Sequence, residues 1–236
     1  MDTIEKFNID DLPVSSVNLF LVKRRSGKSV LCEYLIYEMI QNKLVDCVFL
    51  FSKTQAGFNI IKDKECRLEN IEKLDNILHW YKMWNEYNTI VNERRKISIK
   101  TVVIIDDFAI DLKNKDFNIL EEIATNGRHF ARAPLSLSFC ILCQSLTKIP
   151  RVVRLNCDNI FLNAIASEKE RALILDENMY IVDGSRQGKN EGRDLYQNLV
   201  TSTDYQFVCI ENWRQNIKAY KDYVKTYKAD VSKLKL

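Results

Sequence analysis

No apolar run in this sequence approaches the roughly 20 residues that a membrane-crossing helix requires. Stretches such as Cys47 to Phe51 and Val102 to Ile105 stop far short, so no membrane span is expected. Met1 to Asp11 is polar and acidic, and no secretory signal is expected there. Internal repeats and low-complexity tracts are lacking, which argues against a repeat array or a disordered tail. The seven cysteines are odd in number and have no paired metal-ligand spacing. Cys140 and Cys143 have two residues between them, but on a strand they fall on opposite faces, which disfavours a zinc or redox site. The cysteines read as reduced, buried small hydrophobes of an intracellular protein. A net charge of +3 is too small to argue for nucleic acid by itself.

What remains is a chain of 236 residues, 46% hydrophobic and 28% charged, enough for one substantial α/β domain with too little left over for a second large one. Its most informative segment is Ser26-Gly27-Lys28-Ser29, which follows the apolar run Val17, Leu19, Phe20, Leu21, Val22 and opens a helical stretch from Val30 to Gln41. A strand, a tight loop and a helix with lysine at its start form the arrangement that holds nucleotide β- and γ-phosphates. In such a loop the backbone N–H groups of Arg25 to Ser29 point at phosphate, Lys28 supplies a mobile positive charge, and the Ser29 hydroxyl ligates Mg²⁺. The bland alternative is a helix N-terminus that happens to carry Gly-Lys-Ser.

A second element is Thr101-Val102-Val103-Ile104-Ile105-Asp106-Asp107. It reads as a central parallel strand, buried on both faces, with two acids at its carboxyl end, where ligands of open α/β sheets bind. Asp106 would hold Mg²⁺ through water and Asp107 would act as general base on the attacking water. One such Asp could merely cap the next helix, but two in series after a buried strand favour chemistry. A third element, Pro134 to Ser145, becomes continuously apolar and ends at Gln144. Its amide could touch both the γ-phosphate and the lytic water; taken alone, Gln144 is an ordinary strand-to-loop residue.

With these three in order, the chain resembles the FtsK–HerA superfamily of P-loop motor ATPases, and within it the genome-packaging ATPases of large eukaryotic DNA viruses and virophages. The resemblance rests on Val22 to Ser29, against a family loop close to Gly-Lys-Arg-Gly-Ser-Gly-Lys-Ser; on Ile104-Ile105-Asp106-Asp107; on Asn126-Gly127-Arg128-His129; and on Cys143-Gln144-Ser145 with Ile149 to Asn156. It spans residues 17 to about 163. It implies ATP and Mg²⁺ as cofactors and a homo-oligomeric ring, pentamer or hexamer, that drives double-stranded DNA into a capsid. It further implies a capsid protein or portal-like vertex as docking partner, and a place in the host cytoplasm or the virion. An arginine offered to a neighbour's γ-phosphate is part of the same implication. Arg128, Arg132, Arg151 and Arg154 are candidates, and Arg128 is favoured because it sits in a short Gly-Arg-His turn leaving a helix at 117–126. The chain departs from the family where Val22 and Arg25 replace glycines, which restricts the loop's geometry.

Elsewhere, a strand is expected at Asp46 to Ser52, a helix from Leu68 to about Val91, a strand at Asn159 to Leu162, a helix near Ser167 to Asp176 and a final strand at Tyr205 to Ile210. Asp183 to Arg193, with three glycines and three basic residues, reads as a loop that could touch DNA or simply be a surface loop. From Trp213 to Leu236 the chain carries seven Lys or Arg against two Asp. Its apolar residues Ile217, Tyr220, Val224, Tyr227, Val231 and Leu234 are spaced by three and four. That pattern predicts an amphipathic helix whose apolar stripe packs on the domain or a neighbour and whose basic face meets solvent or DNA phosphates.

The expected architecture is therefore an α/β P-loop NTPase of RecA/FtsK-like type, a mostly parallel sheet with helices on both faces, over residues 1–211, followed by a basic C-terminal helix over 212–236. A small-molecule kinase and a weakly hydrolysing nucleotide-dependent scaffold are the other function classes the residues allow.

Overall fold

A computed structural model of the chain describes residues 3–52, 58–59, 61, 66–68, 73–106, 115–146, 149–165, 167–179 and 186–234. Its centre is an eight-stranded sheet: β1 (Val17–Leu21), β2 (Cys47–Ser52), β3 (Arg67–Leu68), β4 (Lys100–Asp106), β5 (Ser136–Cys143), β6 (Asn159–Leu162), β7 (Phe207–Glu211) and β8 (Val224–Tyr227). The spatial order is β3-β2-β4-β5-β1-β6-β7-β8. The first six strands pair in parallel, and β7 and β8 add an antiparallel extension at one edge. The helices are α1 (Lys28–Gln41), α2 (Lys73–Ile90), α3 (Lys115–Phe130), α4 (Arg151–Asn156), α5 (Glu168–Asn178) and α6 (Arg186–Ser202).

The central strands are buried on both sides, which is why Val102 to Ile105 of β4 and Phe139 to Cys143 of β5 are continuously apolar. Successive side chains go to opposite faces. Val103 and Ile105 of β4 join one core with Leu74, Ile77 and Tyr81 of α2 and Ile123 of α3. Val102 and Ile104 join the other with Leu31, Leu35 and Ile36 of α1. Helices thus cover both faces, unevenly: α1 shares its side with Phe7, Ile9, Tyr227 and Leu234 from near the two ends of the chain. Cys140 and Cys143 fall in different cores, as strand alternation requires, and all seven cysteines are free thiols.

A buried polar network crosses the middle of the sheet. The Asn18 amide donates to Ser16 Oγ (3.0 Å) and to the Phe139 carbonyl (3.2 Å), and its Oδ1 accepts from the Asn159 amide (2.8 Å). Trp213 Nε1 donates to Asn159 Oδ1 (3.2 Å), tying the segment after β7 to the same network. Each bond satisfies a group that would be costly to bury alone.

Two sequence expectations are corrected. The predicted C-terminal helix does not form: residues 220–222 and 231–233 make single 3₁₀ turns, and Val224–Tyr227 is strand β8. A helix would have left the outer edge of β7 unpaired, whereas β8 pairs antiparallel with it from Phe207 to Ile210. The strand also sends Val224 and Tyr227 into opposite cores, a use of both faces that one helical stripe cannot provide. The Tyr227 hydroxyl donates to Glu38 of α1 (2.6 Å), and Lys225 Nζ, itself buried, lies 2.9 Å from Glu5 Oε2.

The expected loop at Asp183 to Arg193 is instead, from Arg186 onward, the beginning of α6; residues 183–185, Gly184 among them, lie outside the described residues. Glycine in a helix weakens it intrinsically, but tertiary contact overrides that preference here. A Cβ at Gly192 would lie 3.2 Å from the Tyr220 hydroxyl and 3.3 Å from the Met179 carbonyl, and the Gly188 carbonyl accepts from Tyr220 (2.7 Å). The lack of a side chain at Gly192 lets α6 pack closely there. The remaining elements match within a few residues, except that Leu68, the expected start of α2, lies in the two-residue strand β3, and α2 begins at Lys73.

Candidate nucleotide-binding site

Parallel order brings the carboxyl ends of β4, β5 and β1 side by side. Asp106 is in register with Leu142, and Leu21 with Cys143, so Gln144 follows directly on the strand between the phosphate loop and the acidic strand end. The three segments picked out by sequence therefore meet at one edge of the sheet. Val22 N–H donates to the Cys143 carbonyl (3.2 Å) and Lys23 N–H to the Ala164 carbonyl (3.4 Å), rooting the loop in both neighbouring strands.

The loop itself turns through two left-handed residues, Arg25 at φ 63° and Gly27 at φ 80°. Gly27 caps α1, whose first hydrogen bond runs from Leu31 N–H to the Gly27 carbonyl (2.8 Å). The two positions where the resembled family carries glycine now separate. Val22 keeps ordinary backbone, is 1% exposed and packs into the core on the α1 side, so its side chain fits without conformational penalty. Arg25 occupies left-handed backbone, where a non-glycine residue costs about 1–2 kcal/mol.

Lys28 and Asp106, at 8% and 5% exposure, lie in contact: Nζ is 3.2 Å from Oδ1. Each charge is held out of bulk water by the other, at the place where a polyphosphate and its cation would compete for both. Ser29 opens α1 next to Lys28. Hydroxyl and carboxylate are hard oxygen donors that fit Mg²⁺, which takes only one or two protein ligands and completes its shell with phosphate and water. Among the described residues no cluster of three His, Cys, Asp or Glu exists that would serve as an independent metal cage. Asp107, the expected general base, lies outside the described residues.

The arginines divide by environment. Arg154 is buried and bidentate on Glu177 (Nε–Oε2 2.9 Å, Nη2–Oε1 3.0 Å), with Nη1 donating to the Ile149 carbonyl (2.6 Å); it holds α4 to α5. Arg151 reaches the same carboxylate at 3.3 Å. Arg132 lines a cavity of about 460 Å³ between α2 and α3, together with His79 and His129. Arg128 sits in the last turn of α3 rather than in a turn beyond it, because the helix runs on to Phe130.

The Arg128 guanidinium lies 3.8 Å from Asp158 Oδ1, and Asp158 Oδ2 accepts from Val17 N–H (2.8 Å) at the start of β1. A five-residue strand, about 16 Å, thus separates Arg128 from its own phosphate loop. Burial pushes the Asp158 carboxyl above the usual aspartate range, against the opposing pull of the Val17 N–H and Arg128.

Sequence reasoning missed the residues beside the loop. A cavity of about 610 Å³ is lined by Lys23, Arg25 and Ser26 on one side and by Asn163, Arg171 and Tyr205 on the other. Only the sharp end of the apolar run at Leu162 and the turn-forming Ser202-Thr203-Asp204 signalled loops at this edge.

Comparison with solved structures gives the same fold. B204, the DNA-packaging ATPase of Sulfolobus turreted icosahedral virus, superposes with a TM-score of 0.55 at 15% identity, covering 92% of this chain and 98% of that one. The genome-packaging NTPase B204 of Sulfolobus turreted icosahedral virus 2, in complex with ATP-γS, gives 0.53 at 14% identity over 90% of this chain and 96% of that one. The pCW3 conjugation coupling protein TcpA, with ATP-γS, gives 0.58 at 11% identity over 92% of this chain and 60% of that one. No curated protein sequence matches significantly. The Poxvirus A32 protein family profile matches residues 4–187, more than half of the chain and all three site segments. The chain belongs to the Poxvirus A32 protein family.

Proposed function

We propose that this protein is an ATP-hydrolysing motor that translocates double-stranded DNA during viral genome packaging. The observation that carries the reading is the pairing of Lys28 with Asp106 at the carboxyl edge of the parallel sheet, with Gln144 directly after the strand between them. Membership of the Poxvirus A32 family and the likeness in fold to packaging ATPases support the same class.

In this reading the N–H groups of Arg25 to Ser29 and the Lys28 ammonium hold the β- and γ-phosphates. Ser29 and Asp106 hold Mg²⁺, which when bound draws charge from the phosphate oxygens. Asp107 accepts a proton from the attacking water, and Gln144 orients that water and senses whether the γ-phosphate is present. Arg128, too far from its own loop, acts on the nucleotide of a neighbouring copy in a homo-oligomeric ring of five or six subunits. An arginine supplied in this way raises turnover by about 10³ to 10⁵. A capsid protein or portal-like vertex docks the ring in the host cytoplasm or assembling virion. No helix among the described residues is long and apolar enough to cross a membrane.

ATP hydrolysis measured with and without long double-stranded DNA, beside Lys28→Ala and Asp107→Asn, tests the proposal. Hydrolysis that rises with DNA and is lost in both variants is the expected result. Hydrolysis indifferent to DNA but dependent on a small phosphate acceptor would replace the motor with a kinase.

A further inference from the structure

We propose that Tyr205 is the stacking surface for the base of the bound nucleotide, and that the cavity of about 610 Å³ beside the phosphate loop receives the nucleoside. The inference rests on the nucleotide-binding reading above and adds the residue that recognises the non-phosphate half of the ligand.

Three observations carry it. First, the position is right: a Cβ built on Gly27 would lie 3.2 Å from Tyr205 Cδ1, so the ring edge sits against the residue that caps α1. The same cavity is lined by Lys23, Arg25 and Ser26 of the phosphate loop. A triphosphate seated on that loop has its nucleoside within reach of the ring.

Second, the ring is displayed rather than packed. Tyr205 is 64% exposed and stands at φ 56°, a backbone conformation that bulky residues rarely adopt and that costs about 1–2 kcal/mol. A strained backbone holding an aromatic ring in solvent adds nothing to the core, and such outliers concentrate at ligand clamps.

Third, the loop that carries it is braced. The Gln206 amide donates to the Leu199 carbonyl (2.7 Å) and Ser202 Oγ (2.9 Å), and the Asn163 amide donates to the Gln206 carbonyl (2.9 Å). Tyr196, buried beneath, donates to the Asn163 carbonyl (2.5 Å). These bonds lock the α6–β7 turn to the segment after β6, whose Ala164 carbonyl already accepts from Lys23 of the phosphate loop. The backbone that carries the ring is therefore held relative to the phosphate loop before any ligand arrives, which lowers the ordering cost of stacking. Every base has a π-face, so such a platform adds affinity for the nucleoside without touching the phosphates.

The test compares binding of AMPPNP and of inorganic tripolyphosphate by the full chain, using calorimetry, for the wild type, Tyr205→Phe and Tyr205→Asn. Asparagine tolerates left-handed backbone, so the loop is kept while the ring is lost; an unchanged thermal midpoint checks this. Tyr205→Asn is expected to weaken AMPPNP about 5- to 100-fold while leaving tripolyphosphate within twofold, and Tyr205→Phe to bind both like the wild type. Undiminished AMPPNP binding by Tyr205→Asn, or equal weakening of both ligands, would overturn the stacking role. A wild-type chain that binds neither ligand would overturn the nucleotide-binding reading itself.

Discussion

Lys28 Nζ lies 3.2 Å from Asp106 Oδ1, joining the first residue of α1 to the last residue of β4 across the carboxyl edge of the sheet. Both side chains are more than nine-tenths buried, so each charge gains from the opposite charge beside it. Lys28→Met or Asp106→Asn alone is expected to lower unfolding free energy by about 1–3 kcal/mol, because each removes the attraction between two buried opposite charges. The double variant should lose less than the sum. Urea unfolding of the four proteins in a double-mutant cycle reads the coupling, and strict additivity would show that the contact contributes nothing.

The two departures from a glycine-rich loop have opposite consequences. Arg25→Gly relieves left-handed backbone and should raise stability by about 1 kcal/mol. Val22→Gly removes a fully buried side chain from the α1 core and should lower it by about 2–3 kcal/mol. Thermal melts of the two single variants separate these effects, and a variant carrying both changes should be less stable than the wild type.

Asn18 sits at the centre of the sheet with no exposed surface and serves as both donor and acceptor. Asn18→Leu would leave the Asn159 amide facing an apolar group and remove the bond to the Phe139 carbonyl. A loss of about 1–3 kcal/mol in chemical denaturation is expected, with no rise in stability from the added apolar surface. Greater stability in the leucine variant would mean that the network is expendable.

Asp158 makes stability depend on pH in a definite direction. Burial raises its carboxyl in the folded state, so the folded chain holds that proton more tightly than the unfolded chain. Its contribution is therefore greatest below the unfolded aspartate value and is lost as pH rises through the raised folded value. Glu211 is shifted the same way, again chiefly by burial. Asp158→Asn should flatten the fall of the urea midpoint with rising pH across this window. Arg128→Ala, which removes a cation opposing the shift, should steepen it. Parallel curves for wild type and Asp158→Asn would show that the carboxyl titrates alike in both states.

The meeting of the candidate segments was legible because phosphate-binding loops and acidic strand ends have short, ordered sequence signatures. Gly27-Lys28-Ser29, Asp106 and Gln144 each follow an apolar run, and parallel pairing places the ends of those runs together. Tyr205 left no such mark. Its ring reaches Gly27 only because the α6–β7 turn is braced against the segment after β6, a contact between residues far apart in the chain. The spacing of three and four from Ile217 to Leu234 misled for a related reason. A periodic pattern says which residues prefer burial, but it does not say that β7 has a free edge to fill.

The sequence by itself determined the parallel α/β core, because runs buried on both faces must be nearly all apolar, and it determined the acidic and basic groups at the carboxyl edge. It also set the strand positions of Cys140 and Cys143, since alternation on a strand admits no other arrangement. Only the tertiary structure decided that Arg25 rather than Val22 bears the strain of a missing glycine. The same holds for the pairing of Arg128 with Asp158 at the opposite end of β1, and for the folding of the C-terminal segment as β8. Each of those outcomes depends on which unpaired edge, charge or carbonyl another part of the chain leaves within reach, and local composition carries no record of that.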